Sequence, residues 1–232
     1  MNYNNVKYIL TDIEGTTTSI SFVFEVLFPY FRNNIQRLEA LKDTEAVKEV
    51  FEQTKDLVKQ EGKEVETFQD FITVLQEWSL ADKKVTPLKT VQGLIWKIAY
   101  EKGEVKGHVY PDVLPCFEAW KNAGLNIGIF SSGSVEAQIL LFKYSTSGDL
   151  TKYLSDYFDT KTGMKRDPET YRIIAEKLKV NPSEILFLSD IKEELEAADV
   201  NGYQTCQLIR ENSKASWKYA VKDFKELEIN QE

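Results

Sequence analysis

One histidine and two cysteines stand in the 232-residue chain, and their scarcity removes whole classes of mechanism. A Ser-His-Asp triad would have to run through His108, yet KGHVYPD reads as an exposed connection entering a helix, with no G-x-S-x-G elbow nearby. Zinc hydrolases draw on two or three histidines, so a catalytic zinc centre is not expected, and His108 reads as a surface or loop residue. Cys116 and Cys206 are too few for a disulfide framework and lack metal-motif spacing; their apolar contexts mark them as buried bystanders. No run of about 18 or more apolar residues occurs, which excludes a bilayer-spanning helix. MNYNNVKYIL has neither the basic start nor the long apolar region of a secretory signal, so the cytoplasm is the expected location, with a nuclear pool open for a eukaryotic source. Positive charge is short too: the formal net charge is -8 and no basic block interrupts it, which removes a nucleic-acid footprint. An acidic chain that handles an anion needs local cations, and individual lysines therefore carry weight.

The rest of the composition, 42% hydrophobic and 28% charged, is that of an ordinary soluble protein able to bury a core in one large domain or two small ones. Short apolar runs bounded by polar residues predict strands over residues 6–12, 125–130 (LNIGIF), 184–189 (EILFLS) and 203–209 (YQTCQLI). Between the later strands lie helical patterns. Val113, Phe117 and Trp120 share one face before Gly124; Tyr171, Ile174, Ala175 and Leu178 share another, behind Asp167 as cap and Pro168 in the first turn. Strands alternating with helices imply parallel βαβ units. Residues 22–102 differ, with helical stripes such as Phe68, Phe71, Ile72, Leu75 and Trp78 or Leu88, Val91, Leu94, Ile95 and Ile98, and no credible strand. They read as a helical insert where a lid or cap would belong.

Ligands of an open parallel sheet bind at the carboxyl ends of its strands. Three predicted strands end in polar residues: Asp12-Ile13-Glu14-Gly15-Thr16, Ser131-Ser132-Gly133-Ser134 and Ser189-Asp190. If the strands are neighbours, Asp12 and Asp190 come together and repel unless a cation or proton lies between them. Magnesium takes one or two carboxylates with phosphate and water, and backbone N–H groups at a helix start near Val135 suit an anion. Singly, each tip is equally a capped turn; three at successive strand ends point to phosphoryl transfer.

These stretches resemble the haloacid dehalogenase (HAD) superfamily: DIEGTTTSISFV its first motif, FSSGS its second, LFLSD its fourth, and FDTKTGMKRDPETY the third, with Lys165 in a G-x-K pattern flanked by Lys161 and Arg166. Glu14 at the second acidic position, VLFPYF and SSGSVEAQILLF are similar to the acireductone synthases, the enolase-phosphatases of methionine salvage. The likeness runs from about residue 8 to residue 210. It departs where the family has Arg-Pro-Gly-Asn and this chain has RENS, Arg210 to Ser213. The resemblance implies an α/β fold, a HAD-like Rossmannoid three-layer parallel sheet core with an all-helical cap inserted after the first strand: core 1–21 and 103–232, cap 22–102. It implies conversion of 2,3-diketo-5-methylthiopentyl-1-phosphate to acireductone through an aspartyl-phosphate. Asp12 would be nucleophile and Glu14, on the same strand face, the proton shuttle. Asp12, Asp190 and the Glu14 carbonyl would hold one Mg2+, with Glu194 a water-mediated or outer partner. Ser131 and Ser132 would bind substrate, and Lys165 would offset the charge of nucleophile and phosphate. In the helical insert, Phe22, Phe28, Tyr30 or Phe31 would be free to meet an apolar tail, although core packing is the commoner job for such residues. A small-molecule phosphate is the expected partner of a monomer, with no nucleic acid or membrane. The alternative is a phosphatase of the same superfamily acting on another small metabolite phosphate; a dehalogenase would need neither metal nor Glu14.

Overall fold

The computed structural model describes residues 2–211 and 213–230, so Asn212 in the RENS departure lies outside the described residues. Six strands form one wholly parallel sheet: β2 (Tyr8–Thr11), β3 (Asn126–Phe130), β4 (Asp156–Phe158), β5 (Ile185–Ser189), β6 (Gln204–Leu208) and β7 (Ala220–Val221), in the order β4-β3-β2-β5-β6-β7. β2 is therefore flanked by β3 and β5, with Thr11 opposite Ile129 and Leu188. A second, two-stranded parallel sheet pairs β1 (Asn2–Asn4) with β8 (Glu228–Asn230). β1, β4, β7 and β8 have two or three residues each and carried no alternating pattern to predict them by.

The sheet is buried on both faces, as crossover helices require. Tyr8, Leu10, Phe130, Ile185 and Phe187 share a cluster with Tyr171, Ile174 and Ala175 of α7 (Pro168–Leu178) and Leu195 and Ala198 of α8 (Lys192–Val200). Ile9, Ile127, Ile129, Leu186 and Leu188 occupy the alternate positions and turn to the other face, where α5 (Val113–Asn122) packs on β3. α6 (Val135–Lys143) packs beside β4. Gly128 is required by this packing, because a Cβ there would lie 2.3 Å from the Tyr8 hydroxyl, which itself donates to Asp156 Oδ2 at 2.7 Å.

The chain divides into two compact units, residues 1–20 with 106–232 and residues 21–105. The second is helical. It opens with a π-helical turn (Phe22–Leu27) running into α1 (Phe28–Asn34), followed by α2 (Glu45–Gln60), α3 (Phe68–Leu80) and α4 (Thr86–Glu101). Thr67 and Asp70 close a capping box at the start of α3. Phe31, Leu38, Val50, Phe71, Ile72, Leu75, Trp78, Leu88, Val91 and Ile95 form its apolar core. Phe31 is thus committed to that core, while Phe24, one turn from Phe28, remains exposed. Among the described residues, no helix is long and apolar enough to cross a membrane.

Candidate active site

β2 stops at Thr11, so Asp12 already lies in the turn beyond the strand and the two-residue repeat does not carry on to Glu14. The shared-face argument is corrected accordingly: a tight turn positions Glu14. The Ile13 carbonyl accepts the N–H groups of Thr16, Thr17 and Thr18, and Gly15 N–H donates to the Thr18 carbonyl at 2.7 Å. Gly15 has φ +72°, and a Cβ there would fall 2.3 Å from Asp190 Oδ2, so only glycine lets the turn approach Asp190. Asp12 is tied at both ends. Its N–H donates to the Leu188 carbonyl at 2.9 Å, and its Oδ1 accepts the Ile13 N–H at 2.7 Å.

Of the three cations in the stretch proposed as the third motif, Lys165 is the buried one. Its Nζ lies 2.7 Å from Asp12 Oδ1 and 2.7 Å from Glu194 Oε2, with the side chain buried, whereas Lys161 and Arg166 are exposed. Local structure delivers it there. At Gly163 a Cβ would strike the Thr170 hydroxyl at 2.1 Å, and the buried Tyr171 hydroxyl donates to the Lys165 carbonyl at 2.7 Å. Glu194 pairs directly with Lys165 and accepts the Ser189 hydroxyl at 2.8 Å.

The charges do not balance: Asp12, Asp190 and Glu194 surround a single lysine. Burial, offset in part by Lys165 and reinforced by Asp190, pushes the Asp12 carboxyl up from 3.8 to about 6. Burial likewise takes Asp190 to about 6, with Lys165 opposing and Glu194 and Glu14 adding to the rise, and raises Glu194. For Lys165 burial acts downward, yet the two ion pairs prevail and its pKa is raised. The Asp190 Oδ1 atom is buried without a hydrogen-bond partner. An orphaned carboxylate oxygen in a site with surplus negative charge and oxygen donors fits a hard divalent cation. Among the described residues, no three His, Cys, Asp or Glu side chains are grouped to hold a metal.

Ser131 ends the neighbouring strand. It is buried, its N–H donates to the Phe158 carbonyl and its Oγ accepts the Gly133 N–H at 3.3 Å; Ser132 is exposed, and Ser134 caps α6 by accepting from Ala137 N–H. Gln138, which sequence reasoning passed over, holds this loop from beneath by donating to the Gly133 and Phe158 carbonyls, each at 2.9 Å. A lone amide among the apolar residues of α6 was the available signal, because a buried amide must find partners. His108 is a half-buried loop residue, not an exposed one: its Nδ1 accepts the Ser19 N–H at 3.0 Å, and burial lowers its pKa. Both cysteines are buried and free, and burial pushes their thiols up to about 11.

The wholly parallel strand order and Asp12 just past the central strand, paired with Lys165, accord with a haloacid dehalogenase-like hydrolase, and the family model of that description matches residues 6–202. An enolase-phosphatase E1 of Picosynechococcus sp. is 48% identical over 211 residues, covering 91% of this chain and 92% of its own length. One from Pseudomonas fluorescens is 43% identical, covering 97% and 98%. Among solved structures, the UTR4 protein of Saccharomyces cerevisiae has a TM-score of 0.81 at 33% identity, covering 96% of this chain and 100% of that one. The chain belongs to the enolase-phosphatase E1 family of these hydrolases.

Proposed function

We propose that the protein is a magnesium-dependent enolase-phosphatase of L-methionine salvage that releases phosphate and acireductone from the diketo phosphate ester named above. The observation that carries this reading is Lys165 Nζ, 2.7 Å from both Asp12 and Glu194, beside the unpartnered Asp190 Oδ1. With a pKa of about 6, Asp12 is ionised at neutral pH and available to attack phosphorus. The P–O bond to the leaving oxygen breaks as the aspartyl-phosphate forms; Glu14 gives that oxygen a proton, then takes one from the water that hydrolyses the intermediate. The Ser131 hydroxyl and the Lys165 ammonium receive phosphoryl oxygens, and Ser132 binds the remainder of the substrate. Asp12, Asp190 and the Glu14 carbonyl would hold Mg2+, which supplies positive charge for the phosphoryl group. In this reading the enzyme is a cytoplasmic monomer acting on a small-molecule phosphate, with residues 1–21 and 103–232 as catalytic domain and 22–102 as cap.

The test is phosphate release from the diketo phosphate with and without Mg2+, followed spectroscopically for the enediol, alongside Asp12→Asn. Magnesium-dependent release with an enediol signal, both lost in the variant, is expected. Release without enediol, or preference for other esters, would reassign the protein as a phosphatase for another metabolite.

A further inference from the structure

Behind the acidic turn lies a second buried ion pair that the chemistry does not use. Arg210, at the end of β6, and Asp112, at the start of α5, are both more than nine-tenths buried and meet in a fork: Nη1 to Oδ1 at 3.1 Å and Nη2 to Oδ2 at 2.8 Å. The rest of the guanidinium is also engaged. Nη1 donates to the Lys222 carbonyl at 3.2 Å, the plane lies 4.4 Å from the Tyr110 ring centroid and 5.1 Å from that of Phe224, and Nε donates to the Thr16 carbonyl at 3.0 Å. Thr16 is two residues from Glu14, inside the turn closed on the Ile13 carbonyl.

The neighbouring residues are fastened to the same region. Tyr110 N–H donates to the Thr17 carbonyl at 2.9 Å, the Thr18 hydroxyl to the His108 carbonyl at 2.8 Å, and the Ser19 hydroxyl to Glu211 at 2.6 Å. Four consecutive residues beyond the acids are thus pinned from outside the turn. At Thr16 the pin is a side chain whose orientation is set by a carboxylate 98 residues away in sequence.

We infer that Arg210 is a positioning residue: through its bond to the Thr16 carbonyl, and held by Asp112, it fixes the turn that aims Asp12 and Glu14. A planar fork is needed, because a single ammonium cannot reach both Asp112 oxygens and the Thr16 carbonyl together. Misplacing a reacting group by about 1 Å can cost about 100-fold in rate. The inference rests on the proposed hydrolytic roles of Asp12 and Glu14 for its kinetic consequence, and on geometry alone for its structural one.

The experiment compares wild type, Arg210→Lys, which keeps the buried positive charge, and Tyr3→Phe, which removes the buried hydroxyl bond to the Thr205 carbonyl remote from the turn. Phosphate release from the diketo phosphate is measured with Mg2+, and amide hydrogen exchange is read at residues 15–19. Arg210→Lys is expected to lower kcat by about 100-fold with KM within about twofold, and to speed exchange at residues 15–19. Tyr3→Phe is expected to lower Tm while leaving kcat and that exchange unchanged. A wild-type kcat in Arg210→Lys with active wild type, or exchange at residues 15–19 no faster than in Tyr3→Phe, would overturn the inference and leave the proposed function standing. A wild type that releases no phosphate overturns the proposed function and the kinetic role together.

Discussion

Two clusters of buried charge lie in the α/β unit, and they are built on opposite plans. At Arg210 and Asp112 the charges match one to one, and the guanidinium and carboxylate have their capacity filled by each other, by the Thr16 and Lys222 carbonyls and by Phe224 N–H. At Lys165 one cation faces three carboxylates, and an oxygen of Asp190 is left without a partner. A saturated pair can only hold its surroundings still. A cluster with surplus charge and an empty lone pair costs stability and is poised to take on a cation and a reactant. The helical unit follows neither plan: its core cluster is apolar, and the Lys42–Glu39 pair sits at the surface with about half of each side chain exposed.

The comparison can be broken most severely by chemistry. Asp12→Asn should abolish phosphate release, a loss of about 10,000-fold or more, while the protein stays folded. Retained turnover in a phosphate assay would mean that the surplus-charge cluster is not the reactive one. Asp112→Asn should act on stability: stripping the carboxylate from a saturated buried pair leaves Arg210 uncompensated and costs about 3–5 kcal/mol in urea unfolding.

Asp190→Asn should have the opposite sign in the metal-free protein. An acid whose folded pKa rises from 3.8 to about 6 binds its proton more tightly when folded, so its contribution to stability is present at low pH and is lost as pH climbs through 6. Removing the charge should therefore change nothing near pH 3.5 and stabilise the protein by up to about 3 kcal/mol above pH 7. Denaturant curves at both pH values check this, and a loss of stability at pH 7 would show that Asp190 is already satisfied. The smallest effect belongs to the helical surface. Lys42→Gln should leave Tm unmoved, because an exposed i,i+3 pair is screened by water and salt.

Much of this molecule was determined by the sequence alone. Short runs marked β2, β3, β5 and β6 to within about two residues at either end; strands buried on both faces are rich in apolar residues, although β6 also buries Thr205 and Gln207. Helical stripes separated residues 22–102 from the rest, and three polar strand ends pointed to one spot. Short edge strands such as β4 were invisible, because three residues carry no period and their pairing depends on a neighbour. Only the tertiary structure buried Lys165 between Asp12 and Glu194 while leaving Lys161 and Arg166 exposed, and joined Arg210 to Asp112 across 98 residues. Local pattern reports what each segment buries. Which charges meet in that buried space depends on the path of the whole chain, and no window of neighbouring residues contains it.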